Sequence, residues 1–500
     1  MRTIKVIFIA VMVVLLAGVR LPVQAQQGTE WPTNGWRTST PEEQGFDSGK
    51  LADGLQAARQ QNLNIDSLLV IRNGSVLLDA YFYPYDGTTV HDLASVTKSF
   101  TTTLIAIAAD QGKLRLDQPI VSFFPERTIA NRDAWKEHIT VRHLAGMVNG
   151  FESGCLSGDE PTLNAMRASP DWVQAALDRK MVREPGTSFC YDSPGMHLLS
   201  AILQKVTGMT ELDFARQNLF GPLGIHDEIW DTDPQGFTHG WGDLHLQPRD
   251  AAKLGYLWLN DGVWDGKQIA SAAWVKDAVK VQSKTGVSDD YGYGWWVSSD
   301  SYSAQGRGGQ RVEINPSLNA VVVVTGDGVD FDQVVSFLRA AFIDPNKPLP
   351  ANPAGVAKLK ATLASLVQPP APQPVGSLPD IAKTISGKTY LFASNPAQVE
   401  TISLEFNDSA QAILHLKMSG SDQMMSWPIG LDGIYRLSPG DDNLPQGLRG
   451  SWADPQTFVF EIDGIANIEH ATYRLHFEGD RLVIDSPELG LRLEGKLERP

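Results

Sequence analysis

Ser95-Val96-Thr97-Lys98 opens a helical pattern that carries apolar Leu104, Ile105, Ile107 and Ala108 and stops at Gly112. Ser at the first turn and Lys three residues on place both side chains on one helix face. A hydroxyl is a weak nucleophile and needs a base held within hydrogen-bond reach. The free N–H groups of a helix start can also stabilise an oxyanion, and its positive end lowers a nearby lysine pKa. Just upstream, Leu68–Arg72 and Ser75–Phe82 flank Asn73-Gly74, the dipeptide of a tight β-hairpin. The nucleophile candidate therefore follows the start of a sheet.

Outward from this point, residues 140 to 275 read as mostly helical with long loops. Strand patterns return at Tyr291–Val297 and Ala320–Thr325, and a helix follows over Phe331–Phe342. Sheet segments at both ends thus flank a helical middle. Pro345, Pro348, Pro350 and Pro353, a short helical stretch, and Gln368-Pro369-Pro370-Ala371-Pro372-Gln373-Pro374 come next. Residues 345–380 read as an inter-domain linker, because proline stiffens the chain and removes backbone donors. From 381 to 500, short alternating segments such as Thr401–Phe406, Ala412–Met418, Thr457–Ile462 and Leu482–Ile484 predict an antiparallel β domain, sandwich or barrel. A cut in the linker is expected to leave residues 26–345 folded and active, since the motif segments and both sheet ends precede it.

The chain has 500 residues and a formal charge of −16, with no basic face for phosphates, so nucleic acid is excluded as a partner. Arg2 and Lys5 precede an apolar run from Val6 to Val19 and then Leu21-Pro22-Val23-Gln24-Ala25. This predicts a signal peptide over 1–25, cut after Ala25, and a periplasmic or extracellular protein. The run is shorter than the ~20 residues of a spanning helix, so no stable membrane anchor is expected. Cys155 and Cys190 are the two cysteines. They are two buried thiols or one bridge; export and the even count favour the bridge. No cluster has metal-ligand spacing, and no cofactor is expected.

Several further segments fall in order. They are Ile139-Thr140-Val141-Arg142-His143-Leu144; Tyr191-Asp192-Ser193 before a helix through His197-Leu198-Leu199; Gly240-Trp241-Gly242 with Arg249-Asp250 and Gly262-Val263-Trp264; and Ala304-Gln305-Gly306-Arg307-Gly308-Gly309-Gln310. With Ser95-x-x-Lys98 they resemble the serine hydrolase family that includes class C β-lactamases, family VIII carboxylesterases and nylon-oligomer (6-aminohexanoate-dimer) hydrolases, over residues 40 to 342. No Gly-x-Ser-x-Gly elbow of the α/β-hydrolases occurs.

The resemblance implies a β-lactamase/transpeptidase-like α/β (α+β) domain over 26–344, an antiparallel sheet flanked by helices with a helical subdomain. It implies Ser95 as nucleophile, Lys98 and Tyr191 as the shared base, and the backbone N–H groups of Ser95 and Arg307 as the oxyanion hole. Ser193, Gln305, Gly306 and His239 are expected to line the substrate. Two positions depart from the family. Ser193 stands where the family has an Asn, and Ala304 where it has a Lys or His that holds a substrate carboxylate. Lys284-Thr285-Gly286 spells the β-lactamase triplet but precedes the Tyr291–Val297 strand, so it reads as an exposed turn.

The expected function is hydrolysis of small carboxylic esters or amides through an acyl-enzyme. The alternatives are β-lactamase or D,D-peptidase-like action on the cell wall, or a cell-envelope binding or sensor protein with a vestigial site.

Overall fold

The structure, a computed structural model, describes residues 31–155, 160–408 and 410–499. The N-terminal apolar run and its cleavage site lie outside the described residues. Among the described residues no helix is long and apolar enough to cross a membrane.

Asn73 (φ 50°) and Gly74 (φ 72°) turn the chain between Ile65–Arg72 and Ser75–Tyr81, the two left-handed residues that match the twist of a hairpin. A side chain at 74 is also barred by the Tyr256 hydroxyl, 2.7 Å from where a Cβ would stand. The hairpin lies within an eight-stranded sheet. Its spatial order is Arg37–Thr38, Ser75–Tyr81, Ile65–Arg72, Ala320–Gly326, Arg311–Asn315, Tyr302–Gln305, Trp296–Val297 and Asp290–Tyr291. Pairing is antiparallel except at Arg37–Thr38, which runs parallel to its neighbour. The early hairpin meets the late strand directly, with Val70 opposite Val322.

Both faces of this sheet are covered, so its central strands are continuous apolar runs and not alternating ones. Leu69, Ile71, Val321 and Val323 face one core with helices Thr97–Asp110, Ser193–Thr207 and Pro248–Leu259. Leu68, Val70 and Val324 face the other, with Ser48–Gln60, Phe331–Ala341 and Pro353–Leu366.

Within the segment 345–380, which the prolines mark as linker, that last helix is packed on the hydrolase domain. Pro353–Leu366 packs on Ser48–Gln60 and buries Leu359 and Leu366. Gln56 Nε2 donates to Thr362 Oγ1 at 3.1 Å, and Arg59 Nη1 to the Ser365 carbonyl at 2.7 Å. Upstream, Arg72 Nη2 donates to the Pro345 carbonyl at 2.6 Å. The prolines stop helices around this segment, but its leucines close the second core.

The C-terminal domain is a closed barrel of nine strands. Thr389–Phe392 pairs on one side with Val399–Asp408 and on the other with Leu491–Leu497. Gln411–Met418 and Met424–Gly430 continue from one end, and Arg481–Ser486, His470–Glu478, Thr457–Gly464 and Pro445–Asp454 from the other. A parallel pairing of Gly430 with Arg449 closes the ring, and Arg436–Pro439 adds to the outside of Pro445–Asp454. Closure removes the exposed edges that an open sheet would leave.

Candidate active site

Ser95 sits in a single 3-10 turn, Ala94–Val96, that feeds the helix Thr97–Asp110. Ala94 is held at φ 45°, a left-handed conformation that costs about 1–2 kcal/mol for a residue with a Cβ. Its N–H donates to Asp92 Oδ1 at 2.7 Å, and its carbonyl accepts from Thr97 Oγ1 at 2.6 Å. Leu93 N–H bonds the Leu244 carbonyl at 2.9 Å. A three-stranded sheet of His91–Asp92, Leu244–Leu246 and Glu228–Trp230 thus anchors the approach to the nucleophile. At a turn this early, the Ser95 amide has no acceptor within the helix.

The Lys98 side chain is 1% exposed. Its amine lies 2.8 Å from Ser95 Oγ and donates to the Trp241 carbonyl at 2.7 Å. Burial is the largest influence on it and pushes the amine down to about 8, against the opposing pull of Glu160, Asp243 and Asp192. A base at that value is neutral in about a tenth of molecules at pH 7, enough to accept the Ser95 proton during reaction.

Tyr191 completes the group. The Lys98 amine stands 4.7 Å from the centre of its ring, and Trp296 stacks on it at 6.1 Å. Burial pushes the phenol well up and the Glu160 charge adds to this, while a hydrogen bond with Ser95 opposes them. Around Tyr191 the backbone is pinned on several sides. A disulfide joins Cys155 and Cys190, Cys190 N–H donates to the Met147 carbonyl at 2.9 Å, and Ser153 Oγ donates to the Tyr191 carbonyl at 2.8 Å. Asp192 is buried in a two-pronged pair with Arg179 and accepts from Asn149 Nδ2 at 2.8 Å.

Strand Tyr302–Gln305 brings the third segment alongside. At Gly306 a Cβ would lie 3.0 Å from the Ser95 amide nitrogen and 2.7 Å from the Leu93 carbonyl, so only glycine lets the strand end approach the nucleophile. Arg307 begins the turn Arg307–Gly309, where its amide also lacks an intrahelical acceptor. Neither amide has a hydrogen-bond partner among the described residues, and the two stand on adjoining segments, the kind of arrangement that stabilises a tetrahedral oxyanion.

Other expected residues fare differently. Gln305 belongs to the strand but spends its amide on Asp289 and Ser303, both at 2.9 Å. Ser193 is 0% exposed at the first turn of Ser193–Thr207, and its amide donates to Glu160 Oε2 at 3.3 Å. A substrate reaches its hydroxyl only if neighbours move. His239 is 7% exposed, with its ring stacked on Trp172 and Trp241 at 4.7 and 5.5 Å. Its Nδ1 bonds Asp243 Oδ2 at 2.7 Å. Asp231, His239 and Asp243 place possible ligand atoms within 4.8 Å of one another, a grouping the sequence reading did not find. Ala304 is buried opposite Val312, so no cation stands at that position. Lys284-Thr285-Gly286 lies in an exposed turn with its lysine paired to Asp290.

Glu160, Arg179 and Asn149 were missed. They carry no local motif, since each acts on residues distant in the chain.

A nucleophilic serine touching a buried lysine, with a tyrosine and two free amides, on an antiparallel sheet between helical layers, defines a serine hydrolase of transpeptidase-like build. Residues 51–337, more than half the sequence, match the Beta-lactamase family, and the chain belongs to it. It is similar to the 6-aminohexanoate-dimer hydrolase of Paenarthrobacter ureafaciens, 24% identical over 289 residues that span 53% of this chain and 74% of that protein. It is also similar to penicillin-binding protein 4 of Amycolatopsis lactamdurans, 25% identical over 283 residues, 48% of this chain and 70% of that one. Among solved structures, EstCE1, a hydrolase with promiscuous acyltransferase activity, shares the fold with a TM-score of 0.50 at 17% identity, covering 59% of this chain and 99% of that one.

Proposed function

We propose that this hydrolase is exported and cleaves small carboxylic esters or amides through an acyl-enzyme on Ser95. The observation that carries the reading is the Lys98 amine, 2.8 Å from Ser95 Oγ and pushed down to about 8 by burial. Ser95 Oγ attacks the substrate carbonyl carbon as its proton passes to neutral Lys98. The carbonyl oxygen, now negative, takes hydrogen bonds from the Ser95 and Arg307 amides. Lys98 and Tyr191 deliver the proton to the departing oxygen or nitrogen as the carbonyl bond to it breaks. Water then attacks the acyl carbon and gives its proton to the same pair; the bond to Ser95 Oγ breaks, the pair returns that proton to Ser95, and the acid leaves.

Amide cleavage is in keeping with the relative named for 6-aminohexanoate dimer. The penicillin-binding relative supplies a second reading, cell-wall peptides or β-lactams. Buried Ala304 weighs against it, because a substrate carboxylate finds no cation there. Export accords with the Cys155–Cys190 disulfide, a bond that persists in oxidising compartments. The test is a panel of nitrophenyl esters and anilides and a chromogenic cephalosporin, with a fluorophosphonate probe, on wild type and Ser95→Ala. Labelling and ester turnover by wild type alone are expected. Equal labelling of the Ala variant refutes the nucleophile, and faster cephalosporin than ester turnover refutes the substrate class.

A further inference from the structure

The turn between barrel strands Thr457–Gly464 and His470–Glu478 does not run over the surface as hairpin loops usually do. Ile465, Ala466 and Ile468 within it are 4%, 0% and 3% exposed. The loop is internally fixed: Asn467 N–H donates to the Gly464 carbonyl at 2.7 Å, Gly464 N–H to the Glu469 carbonyl at 2.9 Å, and Ile465 N–H to the Pro445 carbonyl at 3.1 Å.

Its contacts fall on the two segments that carry the free amides. The Ala466 carbonyl accepts from Asp92 N–H at 2.9 Å. Asp92 in turn holds Ala94, through its Oδ1, in the left-handed conformation directly before Ser95. On the other segment, the Ile468 carbonyl accepts from Arg307 Nη1 at 3.5 Å. The Ile468 side chain lies beside Gly308, its Cγ2 2.8 Å from where a Cβ at 308 would stand. One internally hydrogen-bonded loop therefore contacts both sides of the oxyanion hole. A strained residue such as Ala94 persists only where its surroundings over-determine it. Two donors must also converge on one oxygen at 2.7–3.1 Å for full effect, so small displacements are costly.

We propose that residues 465–468 are a positioning element of the oxyanion hole, which makes the C-terminal barrel a participant in turnover and not an independent appendage. This rests on the assignment of the Ser95 and Arg307 amides above.

The test uses the full mature chain with Ile468→Ala, Ile468→Val and Asn467→Pro. The proline removes the amide that bonds Gly464 and restricts the backbone at Ala466. Ester kinetics are expressed per site titrated to completion with a fluorophosphonate, which counts only folded, competent molecules. A merely structural loop would lower the number of titrated sites and leave the rate at each one unchanged. The positioning role instead lowers kcat per titrated site about tenfold or more in Ile468→Ala and Asn467→Pro, with KM within about threefold and Ile468→Val within about twofold of wild type. Wild-type kcat per titrated site in both disruptive variants, or a loss confined to KM, overturns it. Wild type that titrates at Ser95 and turns over ester satisfies the underlying reading whatever the loop variants do, so the two fail separately.

Discussion

Ending the chain at residue 345 or at residue 368 separates two views of the proline-rich segment. Both fragments lack the barrel, so the difference between them isolates helix Pro353–Leu366. Leu359 and Leu366 are 4% and 1% exposed. At about 1.5–3 kcal/mol for each fully buried leucine, they contribute ~3–6 kcal/mol. Loss of the bonds from Gln56 and Arg59 adds ~1–2 kcal/mol, while the exposed Lys358–Asp53 pair adds little. That is about half or more of the stability of a typical domain of about 5–15 kcal/mol. Fragment 26–345 is expected to be insoluble or to melt without cooperativity, and 26–368 to melt as a cooperative unit. Circular dichroism with urea and thermal ramps reads the difference. A 26–345 fragment with a urea midpoint equal to that of 26–368 would refute the assignment of this helix to the hydrolase core.

Because a buried lysine must lose its proton to act as base, kcat/KM on an ester should rise about tenfold per pH unit below about 8 and level off above it; a flat profile from pH 6 to 9 removes Lys98 from that role. Tyr191→Phe should lower the rate by at least ~10²-fold while leaving the melting temperature nearly unchanged, and unaltered kinetics would exclude the phenol. Glu211 is a buried carboxyl pushed up to about 7 by desolvation, so the folded state holds its proton where the unfolded chain has lost it, and stability falls as pH rises from about 4.5 to 7. Glu211→Gln should therefore stabilise the protein at pH 8 by ~1–3 kcal/mol and by much less at pH 4; equal effects at both pH values, measured by urea denaturation, would show that ionisation is not the cause.

Much of this chain is legible without coordinates, for local reasons. Asn73-Gly74 specifies its turn by backbone conformation alone and sets the first pairs, Arg72 with Ser75 and Ile71 with Val76, before a bulge shifts the register at Val70. Ser95 and Lys98 lie three residues apart at a helix start, so helical geometry alone puts them within reach. The alternating C-terminal segments declare an antiparallel domain, although barrel and sandwich share that alternation. Tertiary structure decided what depends on distant partners. It was the parallel pairing of Gly430 with Arg449 that closed the barrel. Apolar leucines flanked by prolines read as linker until the face of Ser48–Gln60 was seen to need covering. The stacking of His239 on Trp172, a residue 67 positions earlier, likewise has no mark in the sequence. The bracing of the nucleophile turn by Ala466 and Ile468 joins residues more than 150 positions apart through backbone carbonyls, which every residue possesses and no sequence pattern marks.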